Sequence, residues 1–476
     1  MGTFIRIGSE ALIGGEVNTT APHTLGLSEA ASSENLDPRD WRGAKTRNGR
    51  SQYGIDNGSN TGIHGLKAWT RDAGTAFVVA RIATTFYDVQ AGAWASIGIG
   101  GTSGSKFRAA ALNDILAIVV DGLTPMKWNG ATFATLGGFS SITGSYIVGT
   151  PSEAKYITVY ASKLILAGDD ANPQTIFGSA TNNPEDFTAT NDAFSITTQD
   201  GGGDTIQGVV GARNWCNVFY RYYTEMLLGT SVFDLRVERL IDRGLVSTTG
   251  YVSNGDVVFF ASDEAVYLVA RGQASDLTTL KQREWYSGIS DKTKITLGIK
   301  GDLLIITDYG ADTARAYDYK NGRWAPWPTQ PWECMDTSNE QVLYAGTDSG
   351  STAQIWKLDT GSLDGTATIT AFWRTPDFAF GWPDCPKNMA EFRVLAKPGL
   401  PTTTVQFYKD GTSIGSAKTL TFSSSGNEDW KRISSMRDVR GQFLGAKITW
   451  TGQGTLFGFA FYGEVTADSD EIPVEA

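Results

Sequence analysis

Cysteine and histidine are scarce in this chain. Cys216, Cys334 and Cys385 lie far apart with no Cys-x-x-Cys pair, and His23 and His64 are its two histidines. That inventory argues against a zinc site, and an odd, sparse cysteine count points to synthesis in a reducing compartment. Long apolar runs are missing as well. None approaches the eighteen or so residues that a membrane-crossing helix requires. Arg6, Gly8 and Glu10 break up any signal-peptide core, and Arg6 stands where a myristoylation motif needs Ser or Thr. A soluble protein is expected. Positive charge is also in deficit, at a formal net −11, so non-specific nucleic-acid binding through a broad basic surface is not expected.

The familiar catalytic and cofactor motifs are absent too. The glycine-rich stretch 98–104, GIGGTSG, has Ser103 where a dinucleotide fingerprint needs its last glycine, and no helix pattern follows it. There is no Gly-x-Ser-x-Gly elbow, and both histidines sit in loop-like sequence without a partner motif. No segment keeps helical periodicity over three turns, which leaves an all-β reading.

What is abundant is glycine, with 55 residues, and aromatic side chains at 11%. Both are distributed in a cadence. Residues 105–138 read as four short strands: Ala109–Ala111, an Asn113-Asp114 turn, the apolar run 115–120, an Asp121-Gly122 turn, 125–128, an Asn129-Gly130 hairpin turn and a closing strand. A four-stranded antiparallel unit of this length is one blade of a β-propeller. Residues 64–98 repeat the cadence, with Trp94 and Trp128 34 positions apart (128 − 94). More divergent copies follow around 162–167, 205–240, 255–269, 301–324 and 340–358. Six or seven blades are expected between about 62 and 360.

The flanks differ. Residues 1–61 precede the blades and carry Arg39, Arg42, Lys45, Arg47 and Arg50 against one acid, Asp40, between positions 39 and 50. Three readings fit: a solvated loop over the propeller, an arm docked on a neighbouring subunit with its arginines facing acids, or a direct DNA contact. After a polar boundary at 358–366, strands such as 404–412, 445–450 and 455–465 suggest a β-sandwich, followed by an acidic tail with Asp468, Asp470, Glu471 and Glu475. The expected division is an N-terminal arm (1–61), a propeller (62–362), a sandwich (363–466) and a tail (467–476). The fold class is all-β: a six- to seven-bladed β-propeller followed by a C-terminal β-sandwich, with an extended N-terminal arm.

Three local patterns bear on chemistry. Asp200 and Asp204 bracket three glycines, which would suit a calcium ion, although a single copy is more often a plain loop. Thr70–Phe77 (TRDAGTAF) resembles the Asp-box turn of sialidase-like propellers, whose aspartate caps the hairpin backbone. That turn occurs once here, and sialidase catalysis also needs three arginines and a Tyr-Glu pair. Trp285-Tyr286 and Trp324 with Trp327 would form sugar-stacking platforms if exposed, whereas buried blade aromatics are the commoner case.

Four stretches together carry a family resemblance. They are the Ile13-Gly14-Gly15 arm with EAASSENLDP (29–38) and RNGR (47–50); HGLKAWTRDAGT (64–75); KLILAG (163–168) with NPEDF (183–187); and WRTPDF (373–378). In these the chain resembles the propeller-bearing tail proteins of tailed bacteriophages, notably the nozzle or tail tubular proteins of short-tailed phages. The resemblance implies a structural virion protein that is not an enzyme and has no cofactor, catalytic residue or metal. It implies a homo-oligomeric ring, commonly a hexamer, below the portal and adaptor, extending and gating the DNA exit channel. Its partners would be the portal/adaptor ring, other tail proteins such as fibres or spikes, and transiently the passing genome, with no membrane insertion. Its place would be the phage tail, assembled in the bacterial cytoplasm. A receptor- or glycan-binding propeller of the tail is the alternative, and a sialidase-like glycosidase the third reading.

Overall fold

A computed structural model describes residues 3–9, 11–17, 24–59, 61–90, 93–137, 151–188, 192–198, 203–231, 233–347, 352–380, 383–397, 399–423, 428–434, 436 and 439–465. Six four-stranded antiparallel sheets follow one another along the chain, and a seventh lies within a larger sheet. Their innermost strands are Ile63–Thr70, Phe107–Leu112, Tyr156–Tyr160, Gly208–Gly211, Tyr251–Ser253, Ile295–Lys300 and Trp332–Thr337. Each packs on the next, and the seventh returns to the first, so the ring closes with seven blades.

The second strand of nearly every blade is buried along its whole length. Ile115–Val120, Lys163–Asp169, Val258–Ala261 and Leu303–Asp308 are examples. Such a strand has a neighbouring blade against each face, so both sets of alternating side chains must be apolar. That is why these stretches read as unbroken runs such as ILAIVV rather than as alternating strands. Outer strands such as Ala93–Ile99 and Arg236–Ile241 are largely solvated and keep no such signature.

Turn chemistry departs from expectation at Asn129-Gly130. Trp128 pairs with Phe133, so the connection has four residues rather than two. Gly130 has φ +88°, while the Asn129 Oδ1 accepts hydrogen bonds from the backbone N–H of Ala131 (3.0 Å) and Thr132 (2.8 Å). This is an Asx turn, not a type I′ hairpin. Two-residue turns with positive φ at both positions occur at Asn113-Asp114 and Ala161-Ser162. The 34-residue tryptophan spacing is likewise not a structural period. Trp94 lies on a fourth strand, whereas Trp128 ends a third strand and packs edge-on against Trp69 and Phe77 between blades 1 and 2.

The seventh blade is completed from the other end of the chain. Arg50–Tyr53 pairs antiparallel with Ile355–Leu358, Arg50 opposite Leu358 and Tyr53 opposite Ile355. Other strands of the segment read as an arm are woven into two further sheets. Ser32–Glu34 pairs with Thr370–Arg374, and Thr3–Ser9 and Ala44–Thr46 both pair with Thr455–Val465. These two sheets enclose a core rich in Phe392, Phe407, Phe459, Phe461, Trp373 and Trp450. The core runs without a break into Leu303, Ile305, Trp327, Trp332 and Leu343 of blades 6 and 7.

The arm's arginines at 39, 42, 47 and 50 find their partners within the chain. Arg39 binds Asp37 (2.9 Å) and Asp359 (2.7 Å), and Arg47 binds Asp364 (2.5 Å) while lying over the Trp327 ring. Arg50 lies over Trp332 and Trp356, and Arg42 over Trp41. The Trp327 indole N–H donates to the Leu36 carbonyl at 2.8 Å, and the Trp450 indole N–H to Thr46 Oγ1 at 2.8 Å. Gly15 shows why the Ile-Gly-Gly stretch is needed. At φ +72°, a Cβ there would meet the Trp324 backbone nitrogen at 2.9 Å, so the strap lies flat on blade 6 only without a side chain. The described residues hold no helix long and apolar enough to cross a membrane.

Candidate functional site: the central cavity

The inner strands of a propeller surround its axis with their free edges, and here they leave a cavity of about 590 Å³ lined from all seven blades. Its lining includes small or apolar side chains such as Ala109, Ala111, Val159, Val210 and Gly211, but the surface it exposes is mainly polar. The charges set in those walls are almost all matched. Lys67 binds Asp336 at 2.9 Å, and the other Asp336 oxygen accepts the Ala68 N–H at 2.8 Å, tying blade 1 to blade 7.

Towards the end where the inner strands begin, His64 Nδ1 lies 2.8 Å from Glu333 Oε1, which Lys106 also contacts. Burial alone would raise Glu333, but the His64 hydrogen bond and Lys106 hold its carboxyl below the usual range. The Lys106 ammonium also lies 5.0 Å from the centre of the Tyr309 ring. Blades 1, 2, 6 and 7 thus meet around one buried carboxylate.

Arg108 crosses the cavity. From blade 2 its guanidinium donates to the Thr248 carbonyl (2.8 and 3.3 Å), at the entry to blade 5, and to the Lys155 carbonyl (3.2 Å) at the entry to blade 3. It also lies over the Tyr156 ring, 4.7 Å from the centroid. In a seven-membered ring, blades 2 and 5 stand on opposite sides, so this side chain bars the shaft. At the other end, Asp114 Oδ1 accepts the Asp72 N–H at 2.7 Å, and Arg71 approaches Asp114 Oδ2 at 3.7 Å.

The residues singled out in the sequence are scattered. His64 reaches the cavity but is engaged by Glu333; His23 lies outside the described residues. Asp204 caps the blade 4 turn, its Oδ2 accepting the N–H of Arg221 (2.8 Å) and Tyr222 (3.2 Å), while Asp200 lies outside the described residues. In the Asp-box-like turn the capping carboxylate is that of Asp114 from the next blade, not Asp72. One arginine, Arg108, lines the cavity, where a sialidase would need three. Trp324, Trp327 and Tyr286 are buried, and Trp285 is covered by Arg315 at 4.9 Å, so none offers a sugar platform.

Cys334 also lines the cavity. Burial pushes its thiol up, and it donates to the Ile63 carbonyl at 3.3 Å, which makes it an inert packing group. Sequence reasoning did not find Arg108, Lys106 or Glu333. Their partners lie 47 to 269 positions away, and no local motif marks them.

No protein-family model matches the chain, and no curated protein matches it. Solved structures similar to it include the Neurospora crassa Pan2 WD40 domain, at 9% identity and TM-score 0.42, covering 67% of this chain and 96% of that one. The extracellular domain of the putative hybrid two-component system BT4673 from B. thetaiotaomicron is similar at 9% identity and TM-score 0.43, over 77% of this chain and 47% of that one. YCF48 from Cyanidioschyzon merolae is similar at 10% identity and TM-score 0.40, over 65% and 98%. This chain thus spans less than half the length of the BT4673 domain. The propeller assignment rests on this chain's own strand pairing: seven four-stranded blades, with Arg50–Tyr53 completing the last.

Proposed function

We propose that this chain is a structural subunit of a tailed-phage tail, forming a ring below the portal and adaptor that extends the DNA exit channel. The observation that carries the reading is the unbroken core joining the propeller to the two-sheet unit, with the N-terminal segment stitched through both. A subunit of a load-bearing ring must resist shear between its parts, and a continuous dry core with reciprocal strand exchange does so where a flexible linker would not. The sequence resemblance to nozzle proteins supplies the context.

Two further features agree with this reading. The shaft of a single propeller is barred by Arg108, so a genome would pass between subunits around the ring axis, not through one of them. A net charge of −11 gives a surface that repels phosphate and lets a duplex slide.

The test is the mass and shape of the purified protein, alone and mixed with a portal–adaptor complex, by light scattering and negative-stain imaging. Rings, hexameric by expectation, or ring-forming association with the complex support the proposal. A monomer or trimer that binds host cells and ignores tail complexes overturns it in favour of a receptor-binding module.

A further inference from the structure

We propose that the central cavity is a binding site for a small oxyanion, a carboxylate- or phosphate-bearing molecule held by Arg108. Among the basic residues that line the cavity, Lys67 is neutralised by Asp336 and His64 is taken by Glu333. Arg108 differs. It is held by the carbonyl oxygens of Thr248 and Lys155 and by the Tyr251 phenol, and no carboxylate among the described residues forms an ion pair with it.

A guanidinium carries five N–H donors. The three hydrogen bonds to carbonyls and the one to the Tyr251 phenol leave one of them, facing the cavity with the full positive charge. A half-buried cation without a counter-charge favours an oxyanion, which brings the missing negative charge and accepts a charge-assisted hydrogen bond, over a neutral ligand.

The remaining wall chemistry fits the same class. Thr158 Oγ1 accepts the Gly211 N–H at 2.9 Å, and Ser253 Oγ accepts the Gly255 N–H at 3.0 Å. An oxygen used as an acceptor in this way keeps its own O–H to donate, and both residues line the cavity. The lining acids, Asp72, Asp114 and Asp336, lie towards the opposite end from Arg108, since they fall at or beyond the later part of their inner strands. The acids that line the cavity thus lie away from Arg108, and Glu333, which is at the Arg108 end, is already engaged by His64 and Lys106. A volume of about 590 Å³ suits a ligand of metabolite size and excludes a polymer. Such binding is a property of one subunit, so it stands or falls separately from ring assembly.

The experiment is calorimetric titration of the full chain with inorganic phosphate and, separately, with citrate, in wild type and in Arg108→Gln. Glutamine keeps a polar N–H donor and removes the charge. Saturable binding near one per chain is expected for at least one probe, weakened about tenfold or more in R108Q, as the loss of a charged hydrogen-bonding partner implies. The two probes distinguish phosphate-type from carboxylate-type ligands. No saturable binding of either probe, or binding unchanged in a folded R108Q, overturns the proposal. Should R108Q fail to fold, wild-type crystals soaked in tungstate decide the matter. Anomalous density against Arg108 supports the site, and density elsewhere or nowhere overturns it.

Discussion

Blade 2 and blade 7 are built from the same four-stranded sheet but specified at opposite ranges. Blade 2 lies wholly within 107–135, each strand pairing with the one before it. Blade 7 takes its outer strand from Arg50–Tyr53, so that Arg50 pairs with Leu358 across 308 positions (358 − 50). Closing that span costs about 3 kcal/mol more than closing a ten-residue loop, because the cost grows only with the logarithm of length. The difference teaches that distance along the chain is cheap to overcome once the arriving segment brings its own contacts. Arg50 stacks between Trp332 and Trp356 while its Nη1 donates to the Thr329 carbonyl at 3.0 Å, and Arg39 and Arg47 lock the strap on either side of the junction.

The largest effect is expected from removing the long-range element. A chain lacking residues 1–53 leaves blade 7 with an open edge and exposes the junction core. It should lose more than about 5 kcal/mol, the margin of a typical domain, and show no cooperative melt by circular dichroism. Within blade 2, Trp128→Ala should cost about 3–5 kcal/mol through the cavity it leaves beside Trp69 and Phe77, with the melt still cooperative. At the junction, Arg47→Ala strands Asp364 and removes the cover from Trp327. Urea unfolding should register a loss of about 3 kcal/mol. If R47A proves silent while W128A does not, the strap is ornamental and the comparison between the two blades fails.

Acid should separate the same regions more gently. Burial would raise Asp359, but Arg39, with help from Lys300 (3.2 Å) and Asn48 (2.8 Å), holds it below the ordinary carboxylate range. Glu333 is held down in the same sense by His64 and Lys106. A carboxylate with a depressed folded-state pKa stabilises the fold above its unfolded pKa, about 4, and loses that contribution as pH falls through the depressed value. The melting temperature should therefore drop as pH falls below about 4, and Asp359→Asn should flatten that fall while lowering stability at neutral pH. Glu16 has the opposite sign. Burial raises it, so its protonation favours the fold as pH falls, and Glu16→Gln should remove that gain.

The smallest effect lies in a local turn. Ser162 sits at φ +58° without glycine's freedom, so Ser162→Gly should gain about 1 kcal/mol, read as a higher melting temperature.

Legibility in the sequence follows the same divide. The second strands were readable because burial on both faces writes them as apolar runs, and 115–120 coincides with its strand to the residue. Asn113-Asp114 was readable because left-handed turns have a composition. The solvated outer strands leave little pattern, which is why blade number stayed between six and seven. The N-terminal segment hid its role because its strands are two to seven residues long and their partners lie hundreds of positions away. The cavity hid for the same reason. A histidine reads as isolated until the ring brings Glu333 to within 2.8 Å of it.

The strap also imposes an order in time. Arg50 leaves the ribosome about 300 residues ahead of the strand it pairs with, a delay of roughly 15–60 s at ordinary rates of synthesis. Blades 1 to 6 have complete sheets of their own during that interval, whereas the leading segment has neither of its two docking sheets. The ring is shut from behind, by a segment made before any of its blades, once the last blade exists. Until the strand Ile355–Leu358 is made, the blades stand as an open arc with Arg50–Tyr53 unpaired. Chaperones that cover such a segment, or a pause that prolongs the interval, would govern the chain's yield more than any change within a finished blade.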